Sequence, residues 1–430
     1  MTRILHTSDW HIGRTLYGRK RFDEFEAFLD WLVRTIQQER VDVLLVAGDV
    51  FDTATPNNTA QALYYRFLSR VSVTCCRHVV IIAGNHDSPS FLMAPKELLK
   101  ALDVHVIGSI SDNIEDEVLV LSDNDNVPEL IVCAVPYLRD RDIRVVESGE
   151  STEDKERQLI EGIRNHYCEV VVIAKEKRDE CLKHLKKSMP VASKMIPIVA
   201  MGHLFTAGGK TIEGDGVREL YVGSLAHVSA GIFPNGLDYL ALGHLHVPQQ
   251  VAGSDTIRYS GSPLPMSFGE AKQQKSVVIV DLNACAMQSS ADICQPQIKL
   301  IPLPVFQKLE RIKGNLQTIL AEIAALASAD SQAWLEVIYE GNEITGDLRT
   351  RLDEAVAGSQ LEILRVKNSR VIDRVLGQID AEETLDDLDV NDVFDRCLDM
   401  HNVPDEQRRD LIQAYQEVVK SLYEGDAHME

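Results

Sequence analysis

The sequence predicts an α/β layered domain, followed by a small α+β module and a helical tail. Over residues 1–282, short apolar segments alternate with amphipathic helical ones, a pattern typical of sheets covered by helices. After Leu282 the chain becomes polar and contains cysteines, and a second series of short elements begins near 297. We therefore expect a layered domain over 1–282, an α+β capping domain over 297–370 and a helical hairpin over 380–425.

The predicted elements of the large domain follow one another in a regular order. Apolar runs predict strands at 3–5, 42–47, 78–83, 130–135, 196–201, 239–242 and 276–282. Between the first two strands, apolar residues from Phe22 to Ile36 recur at helical spacing, which predicts a helix with one face on the sheet. Residues 145–193 predict a charged surface helix that crosses back to the sheet.

The second series predicts a compact module and a tail. Strands are expected at 297–312, 334–339 and 361–366, and helices at 316–326 and 348–356. The tail carries one apolar stripe at 393–398 and another at 411–422. Two helices alone cannot bury both stripes, so the hairpin docks either on the chain's own domains or on a partner.

Charge and composition restrict the possible classes of protein. The 430 residues carry a net charge of −22, which argues against binding nucleic acid by overall attraction, because phosphates are neutralised by clustered Lys and Arg. Any DNA contact must be local, assisted by metal or shared with a partner. We find neither a signal peptide nor an apolar run that could span a membrane, and the eight cysteines form no CxxC pair. These features predict a cytoplasmic protein.

Metal-ligand residue types follow the predicted strands repeatedly. The motifs are Asp9-x-His11, Gly48-Asp49, Gly84-Asn85-His86-Asp87, Gly202-His203 and Gly243-His244-x-His246. Since sites in open α/β sheets assemble at the carboxyl ends of strands, we expect these side chains to converge. Each motif alone is a weak signal, but the ordered set predicts a metal centre.

The chemistry of these residues favours two divalent ions. The carboxylate of Asp49 has two oxygens with which to bridge metals about 3.5–4 Å apart, as in two-metal hydrolytic sites. Imidazole, carboxylate and amide ligands together suit Mn²⁺, Fe²⁺ or Zn²⁺ better than Ca²⁺. The glycines before the ligands allow sharp turns and a close approach to the ions.

The ordered set DxH, GD, GNHD, GH, GHxH resembles the calcineurin-like metallophosphoesterases. The resemblance implies one ion held by Asp9, His11, Asp49 and His246, and a second held by Asp49, Asn85, His203 and His244. It also implies that His86 protonates the leaving oxygen or steadies the phosphate. Asp87 either orients His86 or caps the following helix.

Three further segments, HTSDWHIG at 6–13, AGDVFDT at 47–53 and YSGSPLP at 259–265, are similar to the SbcD nuclease family. This resemblance implies a Mn²⁺-dependent exonuclease and hairpin endonuclease in which a metal-bound hydroxide attacks the phosphodiester. It further implies a homodimer through helices at 58–70 and 91–102, and a tail that binds the SMC-like ATPase SbcC, with two copies of each protein. Archaeal and eukaryotic relatives have histidine where Asp52 stands, so the role of this residue is open.

Two short basic segments are candidate DNA contacts. They contain Arg14, Arg19, Lys20 and Arg21 beyond His11, and Arg139 and Arg141 after a later strand; the alternative is solvated charged loops. Two rival functions remain: another phosphoesterase, such as a protein phosphatase or cyclic-nucleotide phosphodiesterase, and a non-catalytic scaffold. The complete ligand set argues against the scaffold.

Overall fold

The structure, a computed structural model, describes residues 2–144, 151–188, 195–206, 230–282, 295–341 and 348–368, together with positions 394, 398, 408, 411, 412 and 415. The chain divides into a first unit, residues 1–310 with 332–334, and a second unit, residues 311–331 with 335–430. Among the described residues, no helix combines the length and the apolar character needed to cross a membrane.

The elements follow in chain order. The strands are β1 (Arg3–Thr7), β2 (Thr15–Leu16), β3 (Arg19–Lys20), β4 (Val43–Ala47), β5 (His78–Ile82), β6 (Val104–Ile107), β7 (Val118–Ser122), β8 (Pro128–Ala134), β9 (Ile198–His203), β10 (Tyr239–Gly243), β11 (Gln249–Val251), β12 (Ser254–Tyr259), β13 (Ser276–Asp281), β14 (Gln297–Pro302), β15 (Leu309–Gly314), β16 (Trp334–Tyr339) and β17 (Glu362–Asn368). The helices are α1 (Phe22–Glu39), α2 (Asn58–Val71), α3 (Pro89–Met93), α4 (Lys96–Lys100), α5 (Asp140–Ile143), α6 (Thr152–Ser188), α7 (Leu316–Ser328) and α8 (Leu348–Val356).

The described part of the first unit is built on two six-stranded sheets, which agrees with the layered α/β sandwich predicted from the sequence; the prediction did not say how the strands divide between the sheets. Their strand orders are β14-β13-β1-β4-β5-β6 and β11-β12-β10-β9-β8-β7. In each sheet four consecutive strands are parallel, namely β1-β4-β5-β6 and β12-β10-β9-β8. Apolar runs reveal strands, but they do not say which strands pair, because pairing joins residues far apart in the chain.

Both faces of each sheet are buried, because successive side chains of a strand point to opposite faces and pack in different layers. Leu44 of β4 packs with α1 and α2, whereas the adjacent Leu45 packs between the two sheets. The second sheet is covered on its outer face by α6, through residues such as Tyr167. The result is a helix–sheet–sheet–helix sandwich, which confirms the predicted layered α/β class and explains why the strands are almost wholly apolar.

Each predicted strand of the large domain is present, with ends that differ by one or two residues. The predicted strand 297–312 is wrong, because it is two strands. Its first part, β14, pairs with β13 in the first sheet, and β15 belongs to the three-stranded sheet β15-β16-β17. Residues Gln297–Pro302 therefore lie in the first unit and not in the capping domain.

The small module otherwise has the predicted elements, with α7 and α8 present beside its sheet. The predicted helix at 91–102 is instead two short helices, α3 and α4, separated at Ala94 and Pro95. Most of the hairpin predicted over 380–425 lies outside the described residues. Those described there are helical, and the rings of Phe394 and Tyr415 stack with centroids 3.9 Å apart, which joins the two predicted stripes.

Candidate metal centre

The predicted ligands lie at the carboxyl ends of strands from both sheets. Asp9 and His11 follow β1, Asp49 follows β4, Asn85 follows β5, His203 ends β9, and His244 and His246 follow β10. All are buried except Asn85, which is half-buried. The centre therefore forms where the edges of two sheets meet, and each sheet contributes part of it.

The ligand loops hold strained backbone. Asp9, His11 and Asp49 have φ angles of 53°, 48° and 50°, and His244 has a φ of 102°. Positive φ is uncommon for residues other than glycine and costs free energy, so surrounding structure must enforce it. Here backbone bonds do so: Asp9 N donates to Gly48 O at 3.0 Å and His11 N donates to Asp49 O at 3.0 Å.

Two of the glycines are required by close contacts between loops. A Cβ on Gly84 would lie 2.1 Å from Oδ1 of Asp49, and a Cβ on Gly243 would lie 1.8 Å from the carbonyl oxygen of Ala47. Any larger residue would push the ligand loops apart. The glycines thus allow the loops to approach one another, in addition to the turning predicted from sequence.

One group of donors contains Asp9, His11 and His246, whose ligand atoms all lie within 4.8 Å of one another. His11 Nε2 is 3.1 Å from His246 Nε2 and 3.6 Å from Oδ2 of Asp49. The imidazole nitrogens of His11 and His246 converge with the carboxylates of Asp9 and Asp49. Such a donor set suits a divalent transition metal.

A second group contains Asp9, Asp49 and His203, again within 4.8 Å. His203 Nε2 lies 3.4 Å from Oδ2 of Asp49 and 3.0 Å from Oδ1 of Asn85. Among the described residues, Nε2 of His244 is buried with no hydrogen-bond partner, as expected for a nitrogen reserved for a metal. Asp49 faces histidines of both groups, which fits a bridging ligand. The residues therefore fit a pair of divalent ions.

The electrostatics of the site keep the imidazoles of His244 and His246 neutral, which is the form that binds a metal. Burial, and next the neighbouring His203, lower the pKa of His244 to about 3, and burial holds the pKa of His246 well below its usual range. Burial alone would raise the pKa of Asp49, but His203 and His11 hold it well below the usual value. The neutral imidazoles and the charged bridging carboxylate are the forms that bind a cation.

His203 is the exception, and it makes metal binding depend on pH. Burial alone would lower its pKa, but Asp49 and Asp9 raise the pKa of His203 to about 9. An ion must therefore displace a proton from Nε2, so Mn²⁺ affinity is expected to rise by up to about tenfold per pH unit below pH 9.

Calorimetric titration with Mn²⁺ between about pH 7 and pH 8.5, in buffers of different ionisation enthalpy, measures both the affinity and the proton release. His203→Ala should weaken binding and abolish this pH dependence. An affinity that stays constant over this range would contradict the assignment.

Residues around the ligands fix their orientation, and the ligand motifs did not reveal them. Nδ1 of His203 lies 3.0 Å from the carbonyl oxygen of Ala47; because a carbonyl only accepts, Nδ1 carries the proton and Nε2 is left for the metal. Ser8 Oγ donates to Oδ2 of Asp9 at 2.5 Å and lies 2.8 Å from Ser260 Oγ. Both serines lie in segments that carried the family resemblance, the one sequence signal that marked them.

Lys275 and Glu270 are a second pair that sequence reasoning missed. The two side chains form a buried ion pair. Nζ of Lys275 also donates to the carbonyl oxygen of the ligand His246 at 2.9 Å and to Ser262 Oγ at 3.1 Å. This buried cation therefore anchors the backbone of a metal-binding residue.

His86 and Asp87 have separate roles. His86 Nδ1 lies 2.8 Å from the backbone oxygen of Asp52, and its backbone N donates to Oδ1 of Asp49 at 2.9 Å. The Asp87 carboxylate accepts backbone bonds from Gly84, Val50 and Phe51 at 2.9, 3.1 and 3.0 Å. The next helix is capped by Ser88. Asp87 is therefore a positioning residue that ties two ligand loops together, which corrects both roles predicted for it.

The predicted DNA contacts divide into exposed and structural residues. Arg21 is buried, and its guanidinium pairs with Glu24 and donates to the carbonyl oxygen of Pro265. That prediction is wrong, because a residue sealed in this way cannot reach a phosphate. Arg19 and Lys20 are exposed on the hairpin β2–β3, Arg14 and Arg139 are partly exposed, and Arg141 is exposed.

Comparison with known proteins gives the family. A profile described as "Calcineurin-like phosphoesterase" matches residues 2–248, the segment that contains every predicted ligand. The SbcD component of the nuclease SbcCD from Escherichia coli strain K12 is 34% identical over 412 residues, covering 95% of this chain and 96% of that one. The chain belongs to the SbcD family of calcineurin-like phosphoesterases.

Other SbcD relatives agree with this assignment. The SbcD protein of Rhodobacter capsulatus is 34% identical over 76% of both chains, and that of Bacillus subtilis is 37% identical over 65% of this chain and 66% of its own. A second profile, described as "Type 5 capsule protein repressor C-terminal domain", matches residues 305–402. Since the Escherichia coli SbcD alignment also covers 95% of the chain, the SbcD family relationship extends through the small module and into the tail.

Proposed function

We propose that this chain is the catalytic subunit of a metal-dependent DNA nuclease. The observation that carries the proposal is the position of Asp49, whose Oδ2 faces His11 of one donor group and His203 of the other, in a chain of the SbcD family. In complex with the SMC-like ATPase SbcC, such a subunit works as an ATP-dependent double-strand exonuclease and as a hairpin and single-strand endonuclease. It acts in DNA repair, recombination and replication, at the nucleoid. A protein phosphatase or cyclic-nucleotide phosphodiesterase is the alternative for the same ligands, since the fold does not choose the leaving group.

Two sets of residues are proposed to bind the two ions. When bound, two divalent ions activate water and neutralise the charge that develops on the phosphate. Asp9, His11 and His246 would hold one ion, Asn85, His203 and His244 would hold the other, and Asp49 would serve both. Their mixed nitrogen and oxygen donors accept Mn²⁺ as well as Fe²⁺ or Zn²⁺, and Mn²⁺ is proposed as the native ion from the family relationship.

His86 is placed to serve the leaving group. Its bond to the Asp52 carbonyl keeps a proton on Nδ1, so exchange of a proton with the leaving oxygen falls to Nε2. Its backbone N is tied to the bridging Asp49, which fixes the distance between the ring and the ions.

His86→Gln is expected to lower kcat by about 10²–10⁴-fold, the usual contribution of a general acid, while Mn²⁺ affinity stays unchanged. Single-turnover cleavage of a hairpin oligonucleotide and calorimetric Mn²⁺ titration measure the two effects. His184→Gln, an exposed histidine on α6, is the matched control. Full cleavage by the His86 variant with metal still bound would exclude the leaving-group role.

DNA contacts rest on local basic residues, because the net charge of −22 repels a polyanion. Arg19 and Lys20 offer exposed cations on one hairpin. Arg14, on the same loop as His11, and Arg139 with Arg141, at the start of α5, would extend the contact.

The double variant Arg19→Gln/Lys20→Gln should weaken DNA binding and reduce the slope of log affinity against log salt by about 1–2, because each phosphate contact releases counterions. Fluorescence anisotropy at several salt concentrations measures the slope. Arg157→Gln/Arg164→Gln removes two exposed cations from α6 and serves as the control. An unchanged slope would show that the β2–β3 hairpin does not contact DNA.

The partners are proposed from the family relationship. The tail is proposed to bind the SMC-like ATPase SbcC in an assembly with two copies of each protein. For the homodimer, the apolar face of α2 does not serve, because Leu63, Tyr64 and Phe67 pack in the chain's own core and Tyr65 is half-buried against it. The contact is therefore proposed through the outer sides of α2 and α4, where Leu98 of α4 is 65% exposed.

One assay distinguishes the candidate functions. Mn²⁺-dependent turnover of hairpin and blunt DNA is compared with turnover of a phosphopeptide, with and without the ATPase and ATP. The nuclease proposal requires DNA cleavage that the ATPase stimulates. Faster turnover of the phosphopeptide would favour a phosphatase, and failure to bind Mn²⁺ would favour a scaffold.

A further inference from the structure

We infer that Asp52 is a positioning residue that couples three parts of the site: the metal ligand His11, the proton-transfer residue His86 and the basic residue Arg14. The inference rests on the proposed dinuclear centre. It assigns a role to a carboxylate whose function the sequence leaves open.

Asp52 contacts all three residues. Its Oδ1 lies 3.4 Å from Nδ1 of His11 and 3.4 Å from Nη1 of Arg14. Its backbone oxygen lies 2.8 Å from Nδ1 of His86. The loop itself is held in place, because Asp52 N bonds to the oxygen of Ile12 at 3.4 Å. One residue therefore faces the non-reacting side of two essential rings.

The chemistry of His11 explains why a carboxylate stands here. The ring presents Nε2 to the centre, 3.1 Å from His246 Nε2, so as a neutral ligand it carries its proton on Nδ1. That nitrogen is buried and, within the described chain, has no hydrogen-bond partner, and the Asp52 carboxylate at 3.4 Å is the acceptor that faces it. A carboxylate opposite it selects this tautomer and orients the ring toward the ion.

The same carboxylate also restrains Arg14, whose side chain is only 17% exposed. An arginine held beside the metal centre by an acidic partner keeps its guanidinium in one place at the mouth of the site. Asp52 would thus align the metal ligand and a phosphate-facing cation at once.

The test measures metal binding as well as cleavage. Asp52→Ala should weaken the ion held by His11 and His246 by about 10–100-fold, as loss of a carboxylate behind a ligating histidine does, and leave the other ion unaffected in Mn²⁺ calorimetry. The spin-coupled signal of a Mn²⁺ pair should disappear at metal levels that saturate the unaltered chain. Asp52→Asn, whose amide oxygen still accepts from Nδ1, should restore most of the affinity.

Two further variants distinguish an effect of Asp52 through His11 from an effect through Arg14. In a His11→Ala background, Asp52→Ala should cause no additional loss of Mn²⁺ affinity, and Arg14→Ala alone should leave Mn²⁺ affinity unchanged. Equal affinities of Asp52→Ala and the unaltered chain, or the same loss with and without His11, would overturn the inference. If the unaltered chain fails to bind two ions, the proposed centre itself is wrong, which is a separate and distinguishable result.

Discussion

Asp49→Ala is expected to release both ions and to lower kcat by about 10³-fold or more. Its Oδ2 lies 3.6 Å from His11 Nε2 and 3.4 Å from His203 Nε2, so a single oxygen of this carboxylate faces one histidine of each donor group. Metal stabilisation of the transition state contributes several kcal/mol, and each 1.36 kcal/mol is a factor of ten in rate. Mn²⁺ stoichiometry and hairpin cleavage measure the two losses.

Asp255→Ala is the matched control, because this carboxylate is 73% exposed and its contacts with Arg258 and Gln250 are local. It should keep both ions and full activity. An Asp49→Ala chain that still binds two Mn²⁺ ions would show that the bridge is formed by another residue.

Lys275→Met is expected to destabilise the fold by about 3–5 kcal/mol, the usual effect of removing one partner of a buried ion pair. The variant removes the cation that faces Glu270, a side chain with 0% exposure. It also removes the donor to the carbonyl oxygen of His246, so Mn²⁺ affinity should fall as well. Urea unfolding of the metal-free chain measures the stability change.

Two further variants test whether burial of the Lys275–Glu270 ion pair causes the expected loss of stability. Lys299→Met breaks an ion pair with Glu39 whose lysine side chain is 60% exposed, and it should cost less than about 1 kcal/mol. The double variant Glu270→Leu/Lys275→Met removes both charges and should recover most of the lost stability. Equal effects of Lys275→Met and Lys299→Met would refute the explanation.

The sequence was sufficient to predict the strands and the residue types of the metal centre. Strand signals are local, because apolar runs must be buried on both faces of these sheets. The ligands are local too: Asp9, Asp49 and Asn85 each lie two or three residues after the end of a strand. A histidine or carboxylate at the end of a buried strand carries its own signal, whatever the other strands do.

Other features depend on contacts between distant residues. Arg21 and Arg19 are neighbours of the same charge, yet Arg21 is sealed against the carbonyl oxygen of Pro265, and no local pattern separates them. The predicted strand at 297–312 divides in two because its first half pairs with β13.

The sequence by itself determined a layered α/β protein with histidine and carboxylate residues suited to binding divalent metal. Only the tertiary structure decided that two sheets share the centre, that Asp87 ties loops together, and that Lys275 anchors His246 across 29 residues of chain. The physical reason is that residue type and periodicity are properties of short segments. Orientation, burial and ion pairing are fixed only when segments far apart in the chain pack against one another.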